Sequence, residues 1–306
     1  MSAIIDRILT QLGDGALLDK LLALPKSDLN SFLLQLFEKQ TNKTAPTDVV
    51  KAFEQNRFSV PSDVDPVAYH MLETAFLSSA QKNGIKPVLL SPAAPLASCS
   101  VFGCVHQNKV LSATRGTEML SDPTNMLAII MAAQLKNKKI DNQNPLHYCA
   151  TARVLRAQAF PNTGRHFSHF GVFGLVSSGK DNGSSYLCEK ELLQKHLSYY
   201  KELLVEKYDA QLLVVCKKRS GFPAAFFDSA VQLMQNTFPD VPLSFDESPD
   251  ENNYYQGMQF KVYMEKEDAK IEIGDGGFVD WMQKMTGNKK ERCLISGIGL
   301  DRLLLL

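Results

Sequence analysis

Apolar and polar residues alternate along two runs near the C-terminus, 260–264 and 269–273, and a period of two is the signal of half-buried strands. A short apolar run at 293–295 leads into Gly297-Ile298-Gly299 and reads as a third strand. Glycine recurs at 257, 274, 276, 277, 297 and 299, where strands end or a backbone must approach something closely. Upstream, 151–158 and 172–176 read as strands on either side of a turn-rich segment, 160–164. The pattern also predicts a strand at 85–90 stopped by Ser91-Pro92, a buried strand at 212–216, and a hairpin over 101–113 turning at Gln107-Asn108-Lys109.

Elsewhere the spacing changes to that of helices. Ile4, Ile5, Ile8, Leu9 and Leu12 form one stripe; Leu17, Leu18, Leu21 and Leu22 form another, ended by Pro25. Leu29, Phe32, Leu33 and Leu36 share a face, and Pro46-Thr47-Asp48 opens a last short helix. Residues 1–60 thus form a helical prefix, and the polar, proline-bearing stretch 60–66 links it to a core over 61–306. Core helices are predicted over 67–82, ending at the Asn83-Gly84 cap, and over 125–135, 189–208 and 223–238. The predicted class is α+β: an antiparallel sheet flanked by helices.

The 306 residues carry a formal net charge of zero, which argues against a protein that coats nucleic acid. The prefix lysines are balanced by acids, so packing or dimer support is the simpler role for it, with RNA contact the other. Asp6 interrupts the N-terminal apolar run, so no secretory signal is expected, and no run is long enough to span a membrane. The six cysteines are scattered without zinc spacing, as expected of reduced thiols in a cytoplasmic protein.

The segment Gly297–Arg302, GIGLDR, resembles the third signature of class II aminoacyl-tRNA synthetases, a glycine-rich strand followed by an acid–Arg pair. YYQGMQF followed by GDGGFVD is similar to the histidyl branch, which carries Tyr-Tyr-x-Gly-x-x-Phe and Gly-Gly-Arg-Tyr-Asp runs before that signature. The helix, glycine, strand and proline over 67–92 resemble the first, dimer-forming signature. Residues 151–176 resemble the second, in which Phe-Arg-x-Glu precedes a cationic loop and a return strand.

The resemblance implies a homodimeric ligase core that uses ATP and Mg²⁺ to activate an amino acid or related carboxylate as an acyl-adenylate. Arg156 would meet the α-phosphate, because a guanidinium stabilises charge developing there during in-line attack. Gln158 would face adenine, Arg165 or His166 the outer phosphates, and Arg302 the γ-phosphate from the opposite side. Glu118, in Thr114-Arg115-Gly116-Thr117-Glu118, would hold the substrate amino group, with Tyr255 and Gly277 beside the substrate. Glu118 and Arg115 could instead form a loop ion pair. Glu272 and Asp275 could carry Mg²⁺ through oxygens, or be solvated acids.

The chain departs from the histidyl pattern on the substrate side. Gln158 replaces the acid of the second signature; Phe278 and Val279 replace Arg and Tyr; the stretch 249–253 holds no Arg where a substrate carboxylate should meet one. The chain also ends four residues after Arg302, leaving no counterpart of an anticodon domain. Three readings follow: a synthetase-like ligase with a changed substrate, passing it to tRNA or another acceptor; a non-catalytic paralogue of the ATP phosphoribosyltransferase regulatory-subunit type with a phosphoribosyltransferase partner; or a structural dimer that has lost both activities.

Overall fold

The computed structural model describes residues 3–158, 168–183, 185–208, 211–248, 254–266 and 269–304. Four helices form the prefix: α1 (Ala3–Leu12), α2 (Leu17–Leu22), α3 (Lys26–Thr41) and α4 (Pro46–Gln55). Their apolar stripes are largely uncovered: Leu9 is buried, while Ile4, Leu12, Leu22, Phe32, Leu36, Val49 and Phe53 are exposed. The core begins with α5 (Pro66–Lys82), whose first turn is capped by Asp65 accepting from the Ala68 amide at 2.7 Å. It continues through β1 (Lys86–Pro87), β2 (Ala93–Pro95), β3 (Thr117–Met119), α6 (Pro123–Lys136), β4 (Leu146–Leu155) and β5 (His169–Lys180). Then come α7 (Leu187–Tyr208), β6 (Gln211–Lys218), α8 (Ala224–Thr237), β7 (Leu243–Phe245), β8 (Gln256–Lys266), β9 (Ala269–Val279), α9 (Trp281–Thr286), β10 (Glu291–Gly299) and α10 (Leu300–Leu303).

Eight strands form one sheet in the order β1-β4-β5-β10-β9-β8-β6-β7. It is antiparallel except at its two edges, where β1 pairs with β4 and β7 with β6 in parallel. The alternation of each strand divides the sheet into two chemically different faces. One face carries Phe173, Leu175, Phe260, Val262, Met264, Leu294 and Ile298, and α5, α7 and α8 bury it. Phe173 sits at its centre, with ring centroids 5.1 Å from Phe76 and 5.5 Å from Tyr199. Directly behind β10, buried His196 bonds Ser296 Oγ at 2.7 Å and Ser177 Oγ at 2.8 Å, and His147 reaches the same Ser177 at 2.6 Å.

The opposite face is only half covered. α6 and α9 pack over Tyr148, Val176, Cys293 and Ile295, with Trp281 edge-on to Phe102. Where these helices stop, Val172, Gly297, Gly299, Asp275, Glu272 and Lys261 line an open cleft.

The expected hairpin over 101–113 is not formed; this stretch is loop with a 3₁₀ turn at Gln107–Lys109. The reason lies in Glu118, which is fully buried and draws the chain around its carboxylate. Ser98 Oγ donates to it at 2.6 Å, the Ala97 amide at 2.8 Å, Gln107 Nε2 at 2.8 Å and the Cys99 amide at 3.3 Å. The strand expected over 85–90 shortens to Lys86–Pro87, because Pro87 has no amide hydrogen for the ladder. By contrast, the runs at 260–264, 269–273 and 293–295 grow into strands of 11, 11 and 9 residues.

Candidate active site

The cleft encloses about 690 Å³, and both Arg156 and Arg302 line it. Both follow strands that finish at the same end of the sheet, since β4 and β10 each end against the start of β5. Arg156 follows the end of β4, where its amide donates to the Ser168 carbonyl at 2.9 Å. Its guanidinium is aimed by the Ser121 carbonyl (3.1 Å from Nε), by Asp122 Oδ2 (3.5 Å) and by the Phe170 ring (5.0 Å). Arg302 lies in α10, immediately after the glycine-bearing end of β10, and donates to the Glu272 carbonyl at 2.7 Å. Only one of its donor groups is engaged there, so a guanidinium with five N–H groups retains capacity for a ligand. Between the two arginines the floor is backbone: a Cβ on Gly297 would meet nothing closer than Val172 Cγ1 at 3.6 Å.

Glu272 and Asp275 are three residues apart and in a regular strand would point to opposite faces. The β8–β9 register shifts between Val262 and Tyr263: Val262 pairs with Gly274, but Tyr263 pairs with Glu272. Ile273 is the extra residue, and this bulge restores both carboxylates to the cleft side. Glu272 is held by Lys261 (3.1 Å) and Tyr263 (3.0 Å). Asp275 accepts from Tyr255 Oη at 3.0 Å and Gln259 Nε2 at 3.2 Å. Burial raises the Asp275 pKa, and those two hydrogen bonds only partly oppose it.

A second chamber of about 440 Å³ opens beside the first, and Asp122, Arg156, Tyr254, Tyr255, Gln259 and Asp275 belong to both. Gln158 and Arg219 line only the second. Arg219 donates through Nε to Gln259 Oε1 at 3.1 Å, while the Gln259 amide nitrogen faces Asp275. The guanidinium can only donate, so the Gln259 amide has one sensible orientation.

The expected site residues are therefore partly gathered. Arg156, Arg302, Glu272, Asp275, Tyr255 and Gln158 line the connected chambers. Gly277 does not form the surface but lies beneath Tyr255, where a Cβ would come within 2.6 Å of the ring. Glu118 is a correction: it lines neither chamber, and its carboxylate is engaged by the 97–107 loop. Burial acts to raise its pKa, but these hydrogen bonds outweigh it and hold the carboxyl below its usual range. Arg165, His166 and the stretch 249–253 lie outside the described residues. Phe278 and Val279 belong to the cores on either side of the sheet.

Sequence reasoning missed Asp122 as a site residue. Asp122 caps α6, accepting from the Thr124 amide at 2.9 Å, and faces both chambers. The Asp-Pro-Thr cap was legible, but not that the cap opens onto the cleft. Arg219 gave no signal, since it is the last of three cations at the end of an ordinary strand.

Solved structures share this fold. Histidyl-tRNA synthetase of S. aureus matches with a TM-score of 0.57 at 13% identity, over 80% of this chain and 69% of its own. An ATP phosphoribosyltransferase regulatory subunit/histidyl-tRNA synthetase from Bacillus halodurans C matches at 0.59 and 13%, over 81% and 82%. A histidine–tRNA ligase subunit from Alicyclobacillus acidocaldarius matches at 0.54 and 12%, over 80% and 94%. The fold is that of the class II aminoacyl-tRNA synthetase core. No family model and no curated protein matches the sequence. No helix among the described residues is long and apolar enough to cross a membrane.

The electrostatics set a condition on any anionic ligand. The cleft lining holds six acids (Asp63, Asp65, Asp122, Glu272, Asp275, Asp301) and three bases (Arg156, Lys261, Arg302). A triphosphate entering alone would be repelled by this excess. Among the described residues no cluster of three or more metal ligands exists. Glu272 and Asp275 nevertheless present oxygens on one side of the cleft, which suits Mg²⁺ bound largely through phosphates and water.

Proposed function

We propose that the cleft binds ATP with Mg²⁺ and activates a small carboxylate as an acyl-adenylate. The observation that carries this reading is the convergence of Arg156 and Arg302 on one cleft with a bare backbone floor between them. Bound Mg²⁺ would neutralise phosphate charge, with Glu272 and Asp275 holding it. Arg156 stabilises charge on the α-phosphate when the carboxylate attacks, Arg302 holds the far phosphate, and Phe170 offers a flat surface to the base. This chemistry needs positioning and charge rather than a covalent nucleophile. The second chamber takes the carboxylate substrate. Asp122, not Glu118, is the acid available to a substrate amino group there, and Arg219 is a cation lining the same chamber. The acceptor is tRNA or another nucleophile, and a homodimer is the expected assembly.

A regulatory role is the second reading. It is favoured by the replacement of the histidyl substrate residues by Phe278 and Val279, both buried in apolar surroundings. It carries with it a phosphoribosyltransferase partner. ATP–pyrophosphate exchange across a panel of amino acids and small carboxylates separates the two. Exchange with one of them, abolished by EDTA, supports activation. No exchange with any of them, together with co-purification of a phosphoribosyltransferase, selects regulation.

A further inference from the structure

The segment that joins the prefix to the core is part of the cleft. Asp63, Val64 and Asp65 line it directly. Seven residues earlier than Val64, Arg57 reaches the β4–β5 connection from outside. Its guanidinium donates to the Ala157 carbonyl at 2.5 Å, the Gln158 carbonyl at 3.3 Å and Ser168 Oγ at 2.7 Å. Ala157 and Gln158 leave β4, and Ser168 enters β5, so one side chain ties the two ends of the connection together. Arg57 also lies 4.3 Å from the centre of the Phe58 ring. Three residues on, the Val60 carbonyl accepts from His169 Nε2 at 2.6 Å, which pins the linker to the start of β5. A further tie runs from the prefix itself, where Asn30 Oδ1 accepts from the Arg115 amide at 2.7 Å.

We propose that Arg57 is a positioning residue that makes the helical prefix an integral part of the ligand site. By bridging the successive carbonyls of Ala157 and Gln158 and the hydroxyl of Ser168, it fixes the strand end from which Arg156 and Gln158 face the chambers. Arginine suits this task because its planar fork engages several acceptors at once, whereas lysine offers a single point charge. Docking of the prefix and occupation of the cleft are then linked, and linkage is reciprocal: each strengthens the other by the same factor. The ligand in question is the Mg²⁺-bound triphosphate of the preceding section, and that part rests on the reading given there. The brace itself does not.

The test uses the full chain and three proteins: wild type, Arg57→Ala and Arg57→Lys. Amide hydrogen exchange reads the brace without any ligand. Exchange over 156–158 and 168–171 should be faster in Arg57→Ala, with lysine restoring it only in part and an unchanged melting temperature in all three. Calorimetric titration with ATP and Mg²⁺ should then show Arg57→Ala binding at least ~10-fold more weakly. In the wild type, the same ligand should slow exchange across 57–65. Unchanged exchange in Arg57→Ala overturns the brace, as does full restoration by lysine. Equal ATP affinity in a wild type and variant that both bind overturns the linkage. A wild type that binds no ATP rejects the nucleotide reading, and the brace is then decided by the exchange data alone.

Discussion

Substituting Gly297 by alanine asks directly whether a ligand lies on the floor of the cleft. Gly297 pairs with Asp275 on β9 and with Gly174 on β5, so its missing side chain points to the cleft side. An added Cβ would lie 3.6 Å from Val172 Cγ1 and 3.7 Å from the Phe173 carbonyl, both ordinary contacts. Its φ is not in the left-handed region, so alanine is tolerated by the backbone. Restricting the unfolded chain should make the variant as stable as the parent or more so, by up to about 1 kcal/mol. The same methyl raises the floor under a bound nucleotide. Backing away by about 0.5–1 Å forfeits a quarter to a half of each dispersion contact made there. Summed over the contacts of a triphosphate seated on this floor, together with the loss of its fit to the two guanidinium groups, this amounts to about 1.4 kcal/mol, a tenfold loss of affinity. Differential scanning fluorimetry would check the first expectation and calorimetry with ATP and Mg²⁺ the second. An alanine variant that folds normally and binds ATP as tightly as the parent would refute a ligand seated between Arg156 and Arg302.

Glu118→Ala leaves the donors of Ser98, Gln107 and two backbone amides without their acceptor inside the fold, and should cost ~3 kcal/mol in denaturant unfolding. Since Glu118 lines neither chamber, the protein that remains folded should bind ATP as the parent does. His147 has its pKa lowered to about 4 by burial, with Lys195 adding to the effect, and burial lowers that of His196 well below its usual 6.5. Folded values below the unfolded one mean the stability is present above pH 6.5 and is lost as the pH falls toward 4. Urea titrations across that window should show the loss, and His147→Gln should flatten it; an unchanged slope would remove His147 from the cause. ATP binding should vanish with EDTA because the cleft walls carry more acids than bases, and metal-independent binding would contradict that electrostatic reading.

Much of the sheet was legible because its strands obey simple periods. The runs at 260–264 and 269–273 have one face on the helices and the other on the cleft, and such strands alternate. Arg156 and Arg302 were legible because each sits where a strand ends, a position that a motif fixes locally. Three features were not legible, each because it depends on what lies opposite. The bulge at Ile273, which puts Glu272 and Asp275 on one side, exists only in register with β8. Glu118 looked available because sequence shows its charge but not the four donors the loop folds around it. Arg219 comes from β6, far along the chain from any signature, and only sheet order brings it beside Gln259. The prefix stripes were correctly placed as helices, yet most of their apolar residues remain exposed, so amphipathic spacing gave the elements and not their packing.

The most direct measurement is calorimetric titration of ATP with Mg²⁺ into the wild type, Arg156→Ala and Arg302→Ala. One triphosphate held between the two guanidinium groups predicts that the wild type binds and that each substitution weakens binding at least ~10-fold, with the fold intact. A wild type that gives no binding, or variants that bind ATP as the wild type does, would contradict it.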